Sequence, residues 1–471
     1  MSINKTIAQN TVAQIGGKII STALGLLAVG LMTRSLGVEQ FGWYVTAVGF
    51  LQFVGILSDF GFIITTTSLL SEPAFDKEKL FNTIFTWRFV TALIFQGCAP
   101  LLFLLFPYPT PVKIGVAITS LSFFALAIGQ VFIGYYQAKL QNYHQAISEI
   151  LGRAALAGGI ALAAFTHAGF VAMMSAVTLA SLISTLYLVY KHGNVHWNFD
   201  RLISRAIFQK MWPTALSVIC NSFYLQGDRV LLPLYASQAT VGLYGAAYRV
   251  LDIIIQMAAL IMGVMMPLAT YAWSRQKSAD FKKYYQLSIT LVASILFPAV
   301  AGIFVLDEQI MSFVAGPAFA SAGFMLRYLS LAIIGICFGL AFGYLALAIN
   351  RQRQALYVYA SDGLLSIVGY AICIPRWGVW GAIAVTIFSE LYAGLGLGLI
   401  VVHTTRTSPP LFTLAKIALA SLLMALLTKT VQPTSLAVSL SIGILSYAFL
   451  IFGFRIITLT TLRELVVAKK S

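Results

Sequence analysis

The 471-residue sequence predicts an all-α polytopic membrane protein of about 14 transmembrane helices. Three observations predict it. Hydrophobic residues make up 59% of the chain and charged residues 10%, against about 45–50% and about 25% in an average soluble protein, and the mean hydropathy is +0.88. The apolar residues form continuous runs of bilayer-spanning length rather than the alternating ten-residue segments of a membrane β-barrel. The basic residues fall overwhelmingly on one side of those runs. This balance excludes a soluble enzyme, a disordered protein and a secreted disulfide scaffold.

Taken in order, the spans lie near 11–33, 41–66, 84–106, 113–136, 146–166, 168–190, 210–233, 240–271, 284–305, 323–349, 355–374, 378–402, 411–429 and 433–453. The first has a long apolar core without a small-residue cleavage site, so it stays as a membrane helix rather than leaving as a signal peptide. It carries a small-residue stripe, Ala13, Gly17, Ser21 and Gly25; span 10 carries Gly335, Gly339 and Gly343. Both stripes permit close helix contact. Pro267 and Pro298 can kink spans 8 and 9; packing alone is the competing role. With the N-terminus inside, twenty of the thirty Lys and Arg lie in cytoplasmic segments and four in outer loops, the loop acids Glu39, Asp307 and Glu308 being outside. That is the positive-inside asymmetry. The formal net charge of +15 is therefore topology plus attraction to anionic lipid, and no polar domain exists to hold nucleic acid. Cys98, Cys220, Cys337 and Cys373 sit in apolar runs as packing residues, and the five His show no metal-ligand spacing.

The chain repeats. Gly42, Tyr44 and Ala47 recur as Gly242, Tyr244 and Ala247, each 200 residues on. Each group opens the second helix of a six-helix unit. Six is even, so both units enter the membrane in the same direction, as a parallel repeat. This gives an N-lobe at 1–190 (helices 1–6), a cytoplasmic linker at 191–209, a C-lobe at 210–402 (helices 7–12), and helices 13–14 with a cytoplasmic tail at 403–471. In the linker, Trp197, Phe199, Leu202, Ile203 and Ile207 beside Lys191, Arg201 and Arg205 suit an interfacial helix; a plain connecting loop fits as well.

The motifs NTVAQIGGK, TRSLGVEQFGWY and SDFG (58–61), then DRVLLPLYASQATVGLYGAAYR (228–249) and FVAGPAFASAGFMLRYLSLA (313–332), resemble the polysaccharide-transport (Wzx-type) flippases of the multidrug/oligosaccharidyl-lipid/polysaccharide (MOP) exporter superfamily. The likeness runs through nearly the whole chain. It implies two six-helix lobes in a V, with two extra C-terminal helices. It also implies alternating-access movement of an undecaprenyl-diphosphate-linked oligosaccharide, the repeat unit of O-antigen, capsule or exopolysaccharide, from the inner to the outer leaflet of a bacterial cytoplasmic membrane. Both termini would be cytoplasmic. The partners implied are the lipid-linked substrate, membrane lipid, and the polymerase and chain-length proteins of the same pathway. No cofactor and no catalytic residue is expected. The competing readings are a multidrug or cation antiporter of the same superfamily and a membrane-embedded glycan polymerase. An antiporter needs an acidic, aromatic cavity; a polymerase needs a large outer loop, and no loop exceeds about 20 residues.

Twelve ionisable residues fall inside spans, where each costs roughly 2.5–3.5 kcal/mol unless it is paired or wet. In the N-lobe they are Lys18, Arg88 and Arg153 against Asp59 and Glu149. The surplus of cations points to a cavity site for the diphosphate, with Lys18, Asp59 and Arg88 at one depth; inter-helix ion pairing is the competing role. Glu149 and Arg153 are spaced as an i,i+4 pair. In the C-lobe Arg249, counted with the anion-binding set, has Asp252 as its i,i+3 partner, and Asp228 adjoins Arg229. Asp362 and Glu390 have no basic neighbour on their own helices, so they are the candidate proton or Na⁺ coupling residues. A partner on another helix is the alternative.

Overall fold

The computed structural model describes residues 3–59, 62, 76–139, 141–431 and 435–456, with the backbone alone for residues 3–15, 19, 210 and 212–225. The side chains of Ala13 and Cys220, the end of span 2 beyond Phe62, and the tail from 457 onward lie outside that description.

The described elements are helical. The first two helices, α1 and α2, are the two legs (3–36 and 38–59) of one helical run, Ile3–Asp59, which breaks at Gly37 with φ 70° and ψ −178°. That φ is open to glycine because it lacks a Cβ. There follow α3 (Lys77–Phe103), α4 (Thr110–Ala138), α5 (Tyr143–Phe165), α6 (Gly169–His192), α7 (Arg201–Tyr235), α8 (Gln238–Ser274), α9 (Ser278–Ala315), a 3₁₀ turn (Pro317–Ala322), α10 (Gly323–Ala348), α11 (Gln352–Trp377), α12 (Val379–Thr405), α13 (Leu411–Val431) and α14 (Leu436–Gly453). Among the described residues, twelve helical stretches are long and apolar enough to cross a membrane. One of them, Gly16–Asp59, has 44 residues. At 1.5 Å per residue that is about 66 Å, enough to cross twice with the Gly37 break between. The chain is a multi-pass membrane protein.

Two of the boundaries that differ from those expected of the sequence move charged residues into helix. The side chain of Asp200 accepts from Leu202 N and Ile203 N. This N-cap starts α7 at Arg201, nine residues before the apolar run. Residues 193–200 before it are non-helical. At its other end, α9 continues to Ala315, which takes Asp307 and Glu308 into the helix.

The chain packs as two compact units, 1–245 with 367–379 and 246–366 with 380–471. In the first, the α1 stripe lies on α5. A Cβ on Gly17 would fall 2.9 Å from that of Ala146, and one on Gly25 would fall 3.4 Å from Arg153 Nη1. The 193–200 segment is strapped to α3: Asn82 Oδ1 accepts from His196 N (3.2 Å) and Thr86 Oγ1 from Asn198 N (3.0 Å). Two extended residues advance about 6.6 Å and four helical residues about 6 Å, so alternate amides of the strap meet side chains four apart on α3. Trp197 packs on Phe85 and Phe89, and Ile203 and Ile207 join the core formed by Phe81, Phe132 and Leu188. Within the same unit the two corners carrying the 200-residue spacing touch reciprocally. A Cβ on Gly42 would collide with the carbonyl of Gln238, and one on Gly242 with the carbonyl of Val38. In the second unit α10 and α12 meet backbone to backbone, where a Cβ on Gly335 would collide with the carbonyl of Glu390.

Candidate functional site

The charges of the first unit sort into two ion pairs and a remainder. Lys18 Nζ lies 2.9 Å from Glu149 Oε1, and Ser21 Oγ donates to the same oxygen at 3.2 Å. The small α1 stripe makes this possible, because Gly17 against Ala146 draws α1 close enough for Lys18 to reach across. The expected i,i+4 pairing of Glu149 with Arg153 therefore gives way to an inter-helix pair. Asp59 and Arg88 form the second pair, Oδ1 to Nη2 at 3.1 Å. Arg88 is 2% exposed and ties three helices together. Its Nη1 donates to Ser58 O (2.7 Å), its Nε to Ala127 O (3.3 Å) and its Nη2 to Gln130 Oε1 (3.2 Å). Lys18 thus pairs on α5, while Asp59 and Arg88 pair between α2 and α3.

The remainder is Arg153. It is exposed, and among the described residues no hydrogen bond or ion pair holds its guanidinium. The exposed apolar residues of α5 are Tyr143, Ile147, Leu151, Leu162 and Phe165. They make one stripe at about 100° per residue, and Arg153 lies about 130° from its centre. The guanidinium leaves the helix on the side of Gly25 and Glu149, away from the stripe suited to lipid.

In the second unit Arg249 and Asp252 stand 3.8 Å apart, each about two-thirds buried. Arg327 Nη2 pairs with Asp307 Oδ2 at 2.8 Å. Asp307 is 4% exposed, so a residue expected as an outer-loop acid is an interior partner. Asp228, in the first unit, accepts from Tyr244 OH at 2.7 Å.

Asp362 is wholly buried. Its Oδ1 accepts from Ser389 Oγ (2.9 Å) and, less closely, from Ser366 Oγ (3.4 Å), and the two hydroxyls lie 2.8 Å apart. Its Oδ2 is buried without a hydrogen-bond partner, and no cationic side chain pairs with it among the described residues. Glu390, next in sequence to Ser389, is 4% exposed. The sequence pattern marks Asp362 and Glu390 but misses Ser366 and Ser389. Ser366 is findable, being one turn beyond Asp362; Ser389 needs the packing of α11 on α12.

Comparison with known proteins places this geometry. A family profile described as "Polysaccharide biosynthesis protein" matches residues 31–322. A protein of Haloferax volcanii described as "Probable low-salt glycan biosynthesis flippase Agl15" is 22% identical over 396 residues, 81% of either chain. Among solved structures, a lipid II flippase MurJ in its inward closed conformation superposes with a TM-score of 0.79 at 15% identity, covering 94% of this chain and 99% of that one. An inward-facing multidrug resistance MATE family transporter of the MOP superfamily gives 0.65 at 14% identity, over 86% and 98%.

Proposed function

We propose that this chain, which belongs to the polysaccharide biosynthesis protein family, carries an undecaprenyl-diphosphate-linked oligosaccharide from the inner to the outer leaflet of a bacterial cytoplasmic membrane by alternating access. It is a transporter and not an enzyme. The relative from Haloferax volcanii, described as a glycan biosynthesis flippase, supports a lipid-linked glycan as the cargo.

The observation that carries the reading is Arg153. Two of the three N-lobe cations are neutralised by partners at 2.9 and 3.1 Å. The third stands exposed away from the apolar stripe of its helix. A guanidinium in that setting offers forked donors to phosphate oxygens. Lys18, partly exposed within its pair, adds positive charge that an arriving diphosphate can recruit. Arg88 acts by fixing α2, α3 and α4. A cation extruder calls for surplus acid where this unit has surplus base.

Asp362, with the Ser366 and Ser389 hydroxyls, is the proposed coupling site, with Glu390 beside it. A carboxylate with an unmatched oxygen and two hydroxyls suits a proton or Na⁺. The reciprocal corner contact supports the parallel repeat of 1–190 and 210–402. The positive-inside bias supports cytoplasmic termini.

Arg153→Ala should abolish display of the glycan at the cell surface while leaving the protein in the membrane, and Arg153→Lys should retain part of it. Normal display by Arg153→Ala would refute the reading.

A further inference from the structure

A cavity of about 320 Å³ opens within the first unit between α2, α3 and α4, lined by Gln52, Gly55, Asp59, Arg88, Phe123 and Gln130 among others. At the ~30 Å³ of a liquid water it has room for about ten, or for one sugar ring of about a dozen heavy atoms. On α4 its wall is Phe123, Gln130 and the exposed Leu126, while the exposed Ile114 and Leu121 lie on the opposite side of the helix.

Its chemistry is polar but electrically balanced. The Asp59–Arg88 pair cancels the two charges, which argues against a phosphate or a cation as the occupant. What is left over is amide. No protein hydrogen bond engages the side chain of Gln52 among the described residues. Arg88 fixes Gln130 through its Oε1, which leaves the NH₂ as a donor. Gln96 is 2% exposed, and neither atom of its amide has a hydrogen-bond partner. A buried amide without partners is rare and calls for an occupant. It lies behind Gly55: a Cβ there would stand 3.5 Å from Gln96 Nε2 and 3.6 Å from Phe123 Cδ1. With no side chain at position 55, the Gln96 amide and the Phe123 ring border the same gap beside Gly55, itself a wall residue of the cavity.

Amides both donate and accept, as sugar hydroxyls do, and a phenyl ring matches the C–H face of a pyranose. We propose that this cavity binds one neutral sugar residue of the transported glycan, its hydroxyls held by Gln52, Gln96 and Gln130 and its apolar face set against Phe123. The proposal rests on the flippase reading and names the part of the substrate that a diphosphate site cannot distinguish.

The test uses the full-length protein in lipid nanodiscs. The probes are undecaprenyl diphosphate alone and the same lipid bearing a single glucose, galactose or N-acetylglucosamine. At least one sugar should tighten binding about tenfold, the worth of two or three neutral hydrogen bonds. Gln52→Met removes an amide that holds no other protein group. Gly55→Ala adds a methyl at ordinary contact distance. Each should reduce the gain to about twofold with affinity for undecaprenyl diphosphate unchanged. Equal binding of all four lipids by the parent, or an undiminished gain in both variants, overturns the sugar pocket. Failure of the flippase reading looks different: no lipid binds, or Arg153→Ala binds undecaprenyl diphosphate as the parent does.

Discussion

Three arginines of like appearance in the sequence have three different situations. Arg88 is buried among four acceptors, Arg249 pairs with Asp252 on its own helix, and Arg153 is left over. Removing Arg88 breaks its buried pair with Asp59, so Arg88→Ala should lower stability by about 3–5 kcal/mol. Arg153→Ala should stay within about 0.5 kcal/mol. Thermal unfolding of the two purified variants checks this, and equal losses would contradict the division of roles. The imbalance of three cations to two acids was legible from spacing alone. The pairing was not, because i,i+4 geometry favoured Glu149 with Arg153 and only the approach of α1 to α5 gives Glu149 to Lys18. Likewise Asp362 was visible as a carboxylate without a basic neighbour, while its Ser389 partner lies on another helix. If Asp362 is the coupling site, Asp362→Asn should leave transport running at one rate with and without an imposed proton or Na⁺ gradient. A parental response to the gradient would remove it from that role.

At the scale of elements, apolar runs located the helices and misjudged some of their ends. Hydropathy cannot see that the Asp200 cap begins α7 early, nor that Arg327 makes the interior tolerable for Asp307 near the end of α9. Small-residue stripes were readable as contacts, but the stripe on α10 is not uniform. A Cβ on Gly335 would collide with the Glu390 backbone, whereas one on Gly339 would meet Gly394 at 3.5 Å, an ordinary contact. Gly335→Ala should cost about 1–3 kcal/mol through overpacking. Gly339→Ala should be neutral or slightly stabilising, since alanine favours the helix. Comparing their melting temperatures decides it, and equal shifts would mean that α10 and α12 do not meet at Gly335.

For the whole molecule, the fold class followed from composition and run length because a bilayer leaves a chain this apolar few alternatives. The 200-residue spacing picked out two corners that need glycine for the same reason, a carbonyl lying where a side chain would be. The sugar pocket was not legible, since Gln52, Gln96 and Gln130 are scattered through three spans and carry no charge to draw notice. The comparisons make the protein a lipid-linked glycan transporter, and the proposal that Arg153 meets the diphosphate is the part open to direct test. The most direct test is leaflet exchange in proteoliposomes, with a labelled undecaprenyl-diphosphate oligosaccharide and a membrane-impermeant reagent that reads its outer-leaflet fraction. The parent protein should move the label across and Arg153→Ala should fall to the rate of protein-free vesicles. A parent that moves no label, or an Arg153→Ala variant that moves it at the parental rate, would contradict the assignment.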